Sequence, residues 1–278
     1  MPNSFEEMLK KAGMEGSIRD MPGVACRKKM LVIFIVDNSG SMSGEKMDKV
    51  NAAFRKMVPN MRELQQKVND AFELQIAVLV FDSNASWKVT PTPILKYEHE
   101  EIDSYGGGTS YGKALRELKS KLNENEYMKH NGKVAKPYIM LMTDGKPTDK
   151  GYEDVITELE RNIWYKNAQR YAVLIGKKAV HDADARAAVK AFVSNETEGI
   201  ITAEEAAEIV QAVSAQTMIA LKEMTMRSGG GGLEKRKSDQ RQVIDKKTEK
   251  KTNPYGEEWI FPDAEPDPSA VYGDNYVF

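Results

Sequence analysis

The sequence predicts an α/β fold, a doubly wound and mostly parallel sheet with one antiparallel edge strand, followed by a disordered C-terminal tail. Three observations predict it. Short runs of β-branched and apolar residues recur through most of the chain. Between them lie longer stretches whose apolar residues are spaced by three and four, the period of one helical face. Strands alternating with helices of that length specify parallel strands covered on both sides. The pattern then stops at Gly229 to Gly232, four consecutive glycines that signal a linker. The chain therefore divides into a polar lead-in over 1–28, an α/β domain over 29–228, and a linker and tail over 229–278.

The elements follow in order. Residues 1–28 carry one short helical stretch around Phe5 to Ala12. Leu31 to Val36 is an uninterrupted apolar run, suited to a strand buried on both faces. Met47, Val50, Phe54, Met57, Met61 and Leu64 give residues 45–66 one apolar helical face, which Pro59 should kink or divide. Phe72 to Phe81 reads as a second buried strand, and Trp87 to Val89 as a short strand paired with it. Pro91 and Pro93 mark an edge or its end. After Gly106 to Gly108, Thr109 opens a helix in which Leu115, Leu118 and Leu122 share a face. Tyr138 to Met142 is a third buried strand, Tyr152 to Tyr165 a helix, Tyr171 to Ile175 a strand and Asp182 to Phe192 a helix. Gly199 to Thr202 fits a short edge strand, and Ala203 to Met224 a long helix.

The tail has a different composition. Residues 233–252 hold eight Lys/Arg and four Asp/Glu. Residues 253–278 hold six Asp/Glu, no Lys/Arg, and six aromatic residues among four prolines. Neither half has a period that could bury a core, so both read as disordered. The aromatic residues exceed what solubility requires and suit partner docking. Docking onto the chain's own domain is one form this could take.

Composition narrows the function. A formal net charge of −2 lacks the basic excess of a nucleic-acid binder. One cysteine, Cys26, cannot build a disulfide framework, which favours a reducing compartment. The longest apolar run, Met30 to Val36, is too short to span a bilayer, and the first residues carry Glu6 and Glu7 rather than a signal-peptide core. These features point to a cytoplasmic protein.

The sharpest local feature is Asp37-Asn38-Ser39-Gly40-Ser41, directly after the first buried strand. Ligands of open α/β sheets gather at the C-terminal ends of the strands. Asp37, Ser39 and Ser41 offer one carboxylate and two hydroxyls there, all hard oxygen donors of the kind Mg²⁺ prefers. Asp144, in Met142-Thr143-Asp144-Gly145, follows another buried strand and adds a second carboxylate. Thr109 follows the glycine triplet at a helix start. Asp, Ser and Gly after a strand are also ordinary turn and capping residues. Three oxygen-rich loops at three element ends favour a metal site over that reading.

These residues resemble the Asp-x-Ser-x-Ser signature of the von Willebrand factor A (VWA) family, here Val36 to Met42. The family's metal-ion-dependent adhesion site adds a Thr, matched by Thr109, and an Asp, matched by Asp144. The resemblance spans about Lys29 to Arg227. It implies a Rossmann-like sheet with a divalent ion at its top, Mg²⁺ with Mn²⁺ or Ca²⁺ as alternatives. It also implies an open metal position filled by water or by a partner's Asp or Glu. Among VWA proteins the chain is most similar to cytoplasmic bacterial ones of the TerY kind. Those are associated with a protein kinase and a metal-dependent phosphatase in stress or defence systems.

Two enzymatic readings compete. Gly107, Gly112 and Lys113 nearly match a phosphate-binding loop, but Ala114 stands where the Mg²⁺-binding hydroxyl is needed. Asp37 could serve as a phosphatase nucleophile, but Ser39 occupies the place of the second Asp that chemistry wants. His99, His130 and His181 sit in scattered polar contexts and read as solvated. With all five metal ligands present and no complete catalytic set, the expectation is a metal-dependent interaction module without chemistry of its own. A hydrolase or NTPase using Lys113 or Asp37 is the alternative.

Overall fold

The computed structural model describes residues 27–68, 71–129 and 134–228. The short helix expected near Phe5, Cys26, His130 and the linker and tail over 229–278 lie outside the described residues. The strands are β1 (Lys28–Asp37), β2 (Phe72–Phe81), β3 (Ala85–Pro93), β4 (Tyr138–Thr143), β5 (Gln169–Ile175) and β6 (Ile200–Ala203). They form one sheet in the order β3-β2-β1-β4-β5-β6. All neighbours are parallel except β2 and β3, which pair antiparallel at one edge. This is the doubly wound sheet with one antiparallel edge that the alternating pattern predicts. The order also reverses direction at β1, and crevices open at such a switch point on the C-terminal side.

Strand β1 shows how the layers form. Met30, Val32, Phe34 and Val36 project to one face, into a core shared with α1 (Glu45–Lys67) and α7 (Ala206–Ser228). Leu31, Ile33 and Ile35 project to the other, against α2 (Tyr111–Lys121), α3 (Tyr152–Leu159) and α6 (Ala183–Phe192). Side chains alternate across a strand, so only a strand with helices on both faces can be apolar at every position.

Several boundaries differ from expectation. Pro59 does not divide α1, which runs unbroken from Glu45 to Lys67. Met57, Val58 and Met61 are buried around it, and that packing outweighs the lost backbone bond. The helix expected over Tyr152 to Tyr165 is two, because Asn162 accepts from the amides of Trp164 and Tyr165 and starts α4 (Ile163–Asn167) afresh. A short α5 (Lys177–His181) precedes α6, whose N-cap is Asp182. Helix α2 begins at Tyr111, two residues after Thr109, and Ala203 ends β6 rather than opening α7. β3 continues through both of its prolines, which an edge strand tolerates.

Candidate metal centre

Asp37 is the last residue of β1 and is fully buried. Its Oδ1 accepts from the Ser39 amide at 2.9 Å, and its Oδ2 accepts from the Thr143 hydroxyl at 2.6 Å. Burial pushes its pKa up to about 6, against the opposing pull of the bonds from Ser39 and Thr143. Desolvation wins because both donors are neutral. The Asp144 carboxylate adds a smaller push in the same direction.

Ser39 and Ser41 lie in the tight turn that follows, which contains a single 3₁₀ turn at Gly40–Met42. Their hydroxyl oxygens are 3.2 Å apart, and the Ser41 hydroxyl donates to Asp144 Oδ1 at 2.7 Å. Ser39, Ser41 and Asp144 thus form one hydrogen-bonded run over Asp37. The fifth predicted ligand, Thr109, brings its side chain near this run: its Oγ1 would lie 3.7 Å from a Cβ built on Gly145, the neighbour of Asp144. The segments are locked to each other, with the Thr109 amide donating to Thr148 Oγ1 and the Thr148 amide to the Thr109 carbonyl, each at 2.9 Å.

Residues that sequence reasoning passed over complete the arrangement. Thr143 immerses its hydroxyl beneath Asp37. Its place at the end of a buried strand, one residue before Asp144, was the available signal. Lys46 donates to Asp144 Oδ2 and, at 3.1 Å, to the Ser41 carbonyl. Ser104 donates to the Ser39 carbonyl at 2.6 Å and so pins the following loop against the motif. Gly106 packs there closely, since a Cβ on Gly40 would come within 3.3 Å of its Cα. Between Ser104 and Gly106 stands Tyr105, 80% exposed. His99 is a correction to the solvated reading: its ring stacks on Phe54, and its nitrogens lie 3.1 Å from Asn51 Oδ1 and from the Tyr97 hydroxyl. Asn51 Oδ1 also accepts from the Ile102 amide, which ties the loop before Ser104 to α1.

The donor set is two carboxylates and three hydroxyls, all hard oxygens. That fits a small divalent cation and does not fit a soft or nitrogen-seeking one. Among the described residues no three His, Cys, Asp or Glu side chains converge into a metal cluster. A site here would therefore rely on serine and threonine oxygens and leave room for water or an outside carboxylate.

The nucleotide-binding reading meets the same geometry with less success. A phosphate loop needs outward-pointing amides. Here the Gly108 amide donates to Ser83 Oγ, that of Thr109 to Thr148, and that of Ser110 to the Asp82 carbonyl. Lys113 Nζ is itself bound to the Ser83 carbonyl at 2.6 Å and to Asn84 Oδ1 at 3.2 Å.

Comparison with known proteins agrees with the fold. Residues 32–146 match the model of the von Willebrand factor type A domain. A segment of 127 residues, 42% of the chain, is 32% identical to inter-alpha-trypsin inhibitor heavy chain H4 from Bos taurus, of which the chain spans only 13%. Among solved structures, the vWF domain of the type V pili tip protein Mfa5 from Porphyromonas gingivalis aligns with a TM-score of 0.52 at 11% identity. That alignment covers 71% of this chain and 96% of that one. Proximal thread matrix protein 1 from the mussel byssus, with a zinc-occupied MIDAS motif, aligns with a TM-score of 0.50 at 16% identity, covering 79% and 52%. No helix among the described residues is long and apolar enough to cross a membrane. The six-stranded sheet thus has the VWA fold, and residues 32–146 within it are similar to the von Willebrand factor type A domain.

Proposed function

We propose that the chain is a metal-dependent protein–protein interaction module whose ion is held by Asp37, Ser39, Ser41, Thr109 and Asp144. VWA domains are typically interaction modules and not enzymes. The observation that carries the reading for this chain is the oxygen run Ser39–Ser41–Asp144, closed by hydrogen bonds at the C-terminal end of the sheet over the buried Asp37. Hard oxygens favour Mg²⁺, with Mn²⁺ or Ca²⁺ as substitutes. The zinc in the byssus protein's site supports a divalent ion of some kind. In this reading a partner supplies an Asp or Glu carboxylate to the ion. Tyr105, exposed beside the motif, suits an aromatic anchor for the same partner.

The domain over 29–228 would be the binding unit, and the acidic-aromatic tail a tethered second docking segment for the partner or for this same face. We place the protein in the cytoplasm, on the single cysteine and the apolar-run lengths of the sequence, and in a bacterial stress or defence system with a kinase and phosphatase, on the TerY resemblance. Calorimetry tests the core of the proposal. Wild type should bind Mg²⁺ and Asp37→Ala should not, with circular dichroism unchanged. Equal affinity in the two would overturn the assignment.

A further inference from the structure

The buried Asp144 carboxylate has both oxygens engaged. One accepts from the Ser41 hydroxyl, and the other is paired with the Lys46 ammonium. The Asp144 side chain is fully buried, whereas that of Lys46 is about one-third exposed. Lys46 is held there from several sides. It stands in the first turn of α1, its ammonium also donates to the Ser41 carbonyl, and its stem lies under Gly176, where an added Cβ would come within 3.4 Å of Lys46 Cε. The contact is therefore a built one, a full positive charge fixed on a residue that the metal proposal needs.

We propose that Lys46 is the internal counter-cation of this site and sets how tightly it takes a divalent ion. The inference rests on the metal reading above. An ion drawn to Asp144 meets a carboxylate already paired with an ammonium, and two cations near one carboxylate repel each other. At the effective dielectric of a partly exposed site that repulsion is large enough to matter for affinity. Lys46 also has somewhere to go. It lines a groove of about 610 Å³ that runs from Ser41 and Asp144 past Gly176, with the carboxylates of Glu45, Glu204 and Glu205 along it. Ion binding would then exchange one partner of Asp144 for another, with the ammonium turning into the groove. Lys46 is thus a positioning and affinity-setting residue, not an ion ligand.

The test pairs two readouts on the full chain. Removing the ammonium while keeping the stem, as in Lys46→Met, should tighten Mg²⁺ binding roughly tenfold by calorimetry. In EDTA the same variant should melt several degrees below wild type, because a buried carboxylate has lost its charged partner. Saturating Mg²⁺ should abolish that difference. Lys46→Arg, which keeps the charge, should stay near wild type in both readouts. A merely structural role predicts a lower Tm together with weaker or unchanged ion binding, and that result overturns the inference. Unchanged Mg²⁺ affinity and unchanged Tm overturn it as well. If neither wild type nor Lys46→Met binds Mg²⁺, Mn²⁺ or Ca²⁺, the metal reading itself fails and this inference falls with it. That outcome is distinct from equal binding by both proteins, which rejects the role of Lys46 alone.

Discussion

The two carboxylates at the top of the sheet are held in opposite ways. Asp37, at the end of β1, is buried and receives only neutral donors, an amide and a hydroxyl. Asp144, just past β4, is equally buried and receives a hydroxyl and an ammonium. The first has its pKa raised to about 6 by desolvation, while the second has its charge matched. The difference assigns them different work. Asp37 is an uncompensated electrostatic demand at the base of the site, and a divalent ion is what would meet it. In the proposed metal reading, Asp144 would be a ligand whose availability depends on its ammonium partner, Lys46. Buried charge without a partner is costly, and a fold retains it where function requires it.

The largest expected effect comes from neutralising the uncompensated member. Asp37→Asn should abolish measurable Mg²⁺ binding and at the same time raise the Tm in EDTA at pH 7. Its pKa is pushed from the ordinary 3.8 up to about 6, which corresponds to a net cost of ionising it in the fold on the order of 2–3 kcal/mol, relieved by the neutral side chain. Part of that gain is lost because the Asn amide cannot accept from both Ser39 and Thr143. A gain in stability with a loss of binding is the signature. A variant less stable than wild type in EDTA would mean that the two neutral donors already compensate the charge. The same substitution at Asp144 should also weaken Mg²⁺ binding but lower the Tm in EDTA, since it strands Lys46.

Next in size is Thr143→Val, which removes one of the two donors to Asp37 without touching Asp144. An acceptor left buried without its partner costs about 1–3 kcal/mol, read as a lower Tm. Mg²⁺ affinity should also fall, because nothing then orients Asp37 Oδ2. Wild-type behaviour in both measurements would show that water replaces the hydroxyl.

The pH dependence sharpens the comparison further. Asp37 must be ionised to hold an ion, so Mg²⁺ affinity should be flat above pH 7 and decline as pH falls through about 6. Stability in EDTA follows the linkage rule: a raised folded-state pKa contributes stability that is present below the unfolded value and lost as pH rises through the folded one. Asp37 should therefore erode stability between about pH 4 and 6. His99 acts with the reverse sign. Burial lowers its pKa below the ordinary histidine value of 6.5, against Glu101 and with Arg55 and Lys88, so its contribution is lost as pH falls below that value. The difference between wild-type and Asp37→Asn melting curves isolates the first term. A pH-independent difference would contradict the assignment of the shift to Asp37.

Much of this was legible in the sequence, for identifiable reasons. The sheet could be read because strands buried on both faces leave uninterrupted runs such as Leu31 to Val36, and helices leave a period. The candidate ligands could be read because each directly follows such a run or a glycine loop. Lys46, Ser104 and Thr148 could not. Lys46 looks like any solvated lysine in the first turn of a helix, and its partner Asp144 is 98 residues away. Ser104 and Thr148 act across loops that only the fold brings together. His99 was misread because Phe54 and Asn51, which enclose it, sit on a helix earlier in the chain. Pro59 does not divide its helix, because long-range packing decides there rather than the local rule.

The smallest effect should come from Lys113→Ala, and its smallness is informative. Lys113 holds the place of the phosphate-binding lysine in a near-match to a nucleotide loop, so an NTPase would lose nearly all function without it. In the fold its ammonium is spent on the Ser83 carbonyl and Asn84, at the β2–β3 turn, and the loop amides beside it are turned inward to Ser83, Thr148 and Asp82. The side chain is exposed, so losing those bonds should cost less than about 1 kcal/mol. None of its contacts reaches Asp37, Ser39, Ser41 or Asp144. Mg²⁺ affinity in Lys113→Ala should therefore stay within about twofold of wild type, and titration of ATP or GTP with Mg²⁺ should give no heat of binding in either protein beyond that of the ion. Nucleotide binding by wild type that disappears in Lys113→Ala would reinstate the enzymatic reading. It would also require the glycine loop to turn its amides outward, a rearrangement that amide hydrogen exchange at Gly108, Thr109 and Ser110 would report directly.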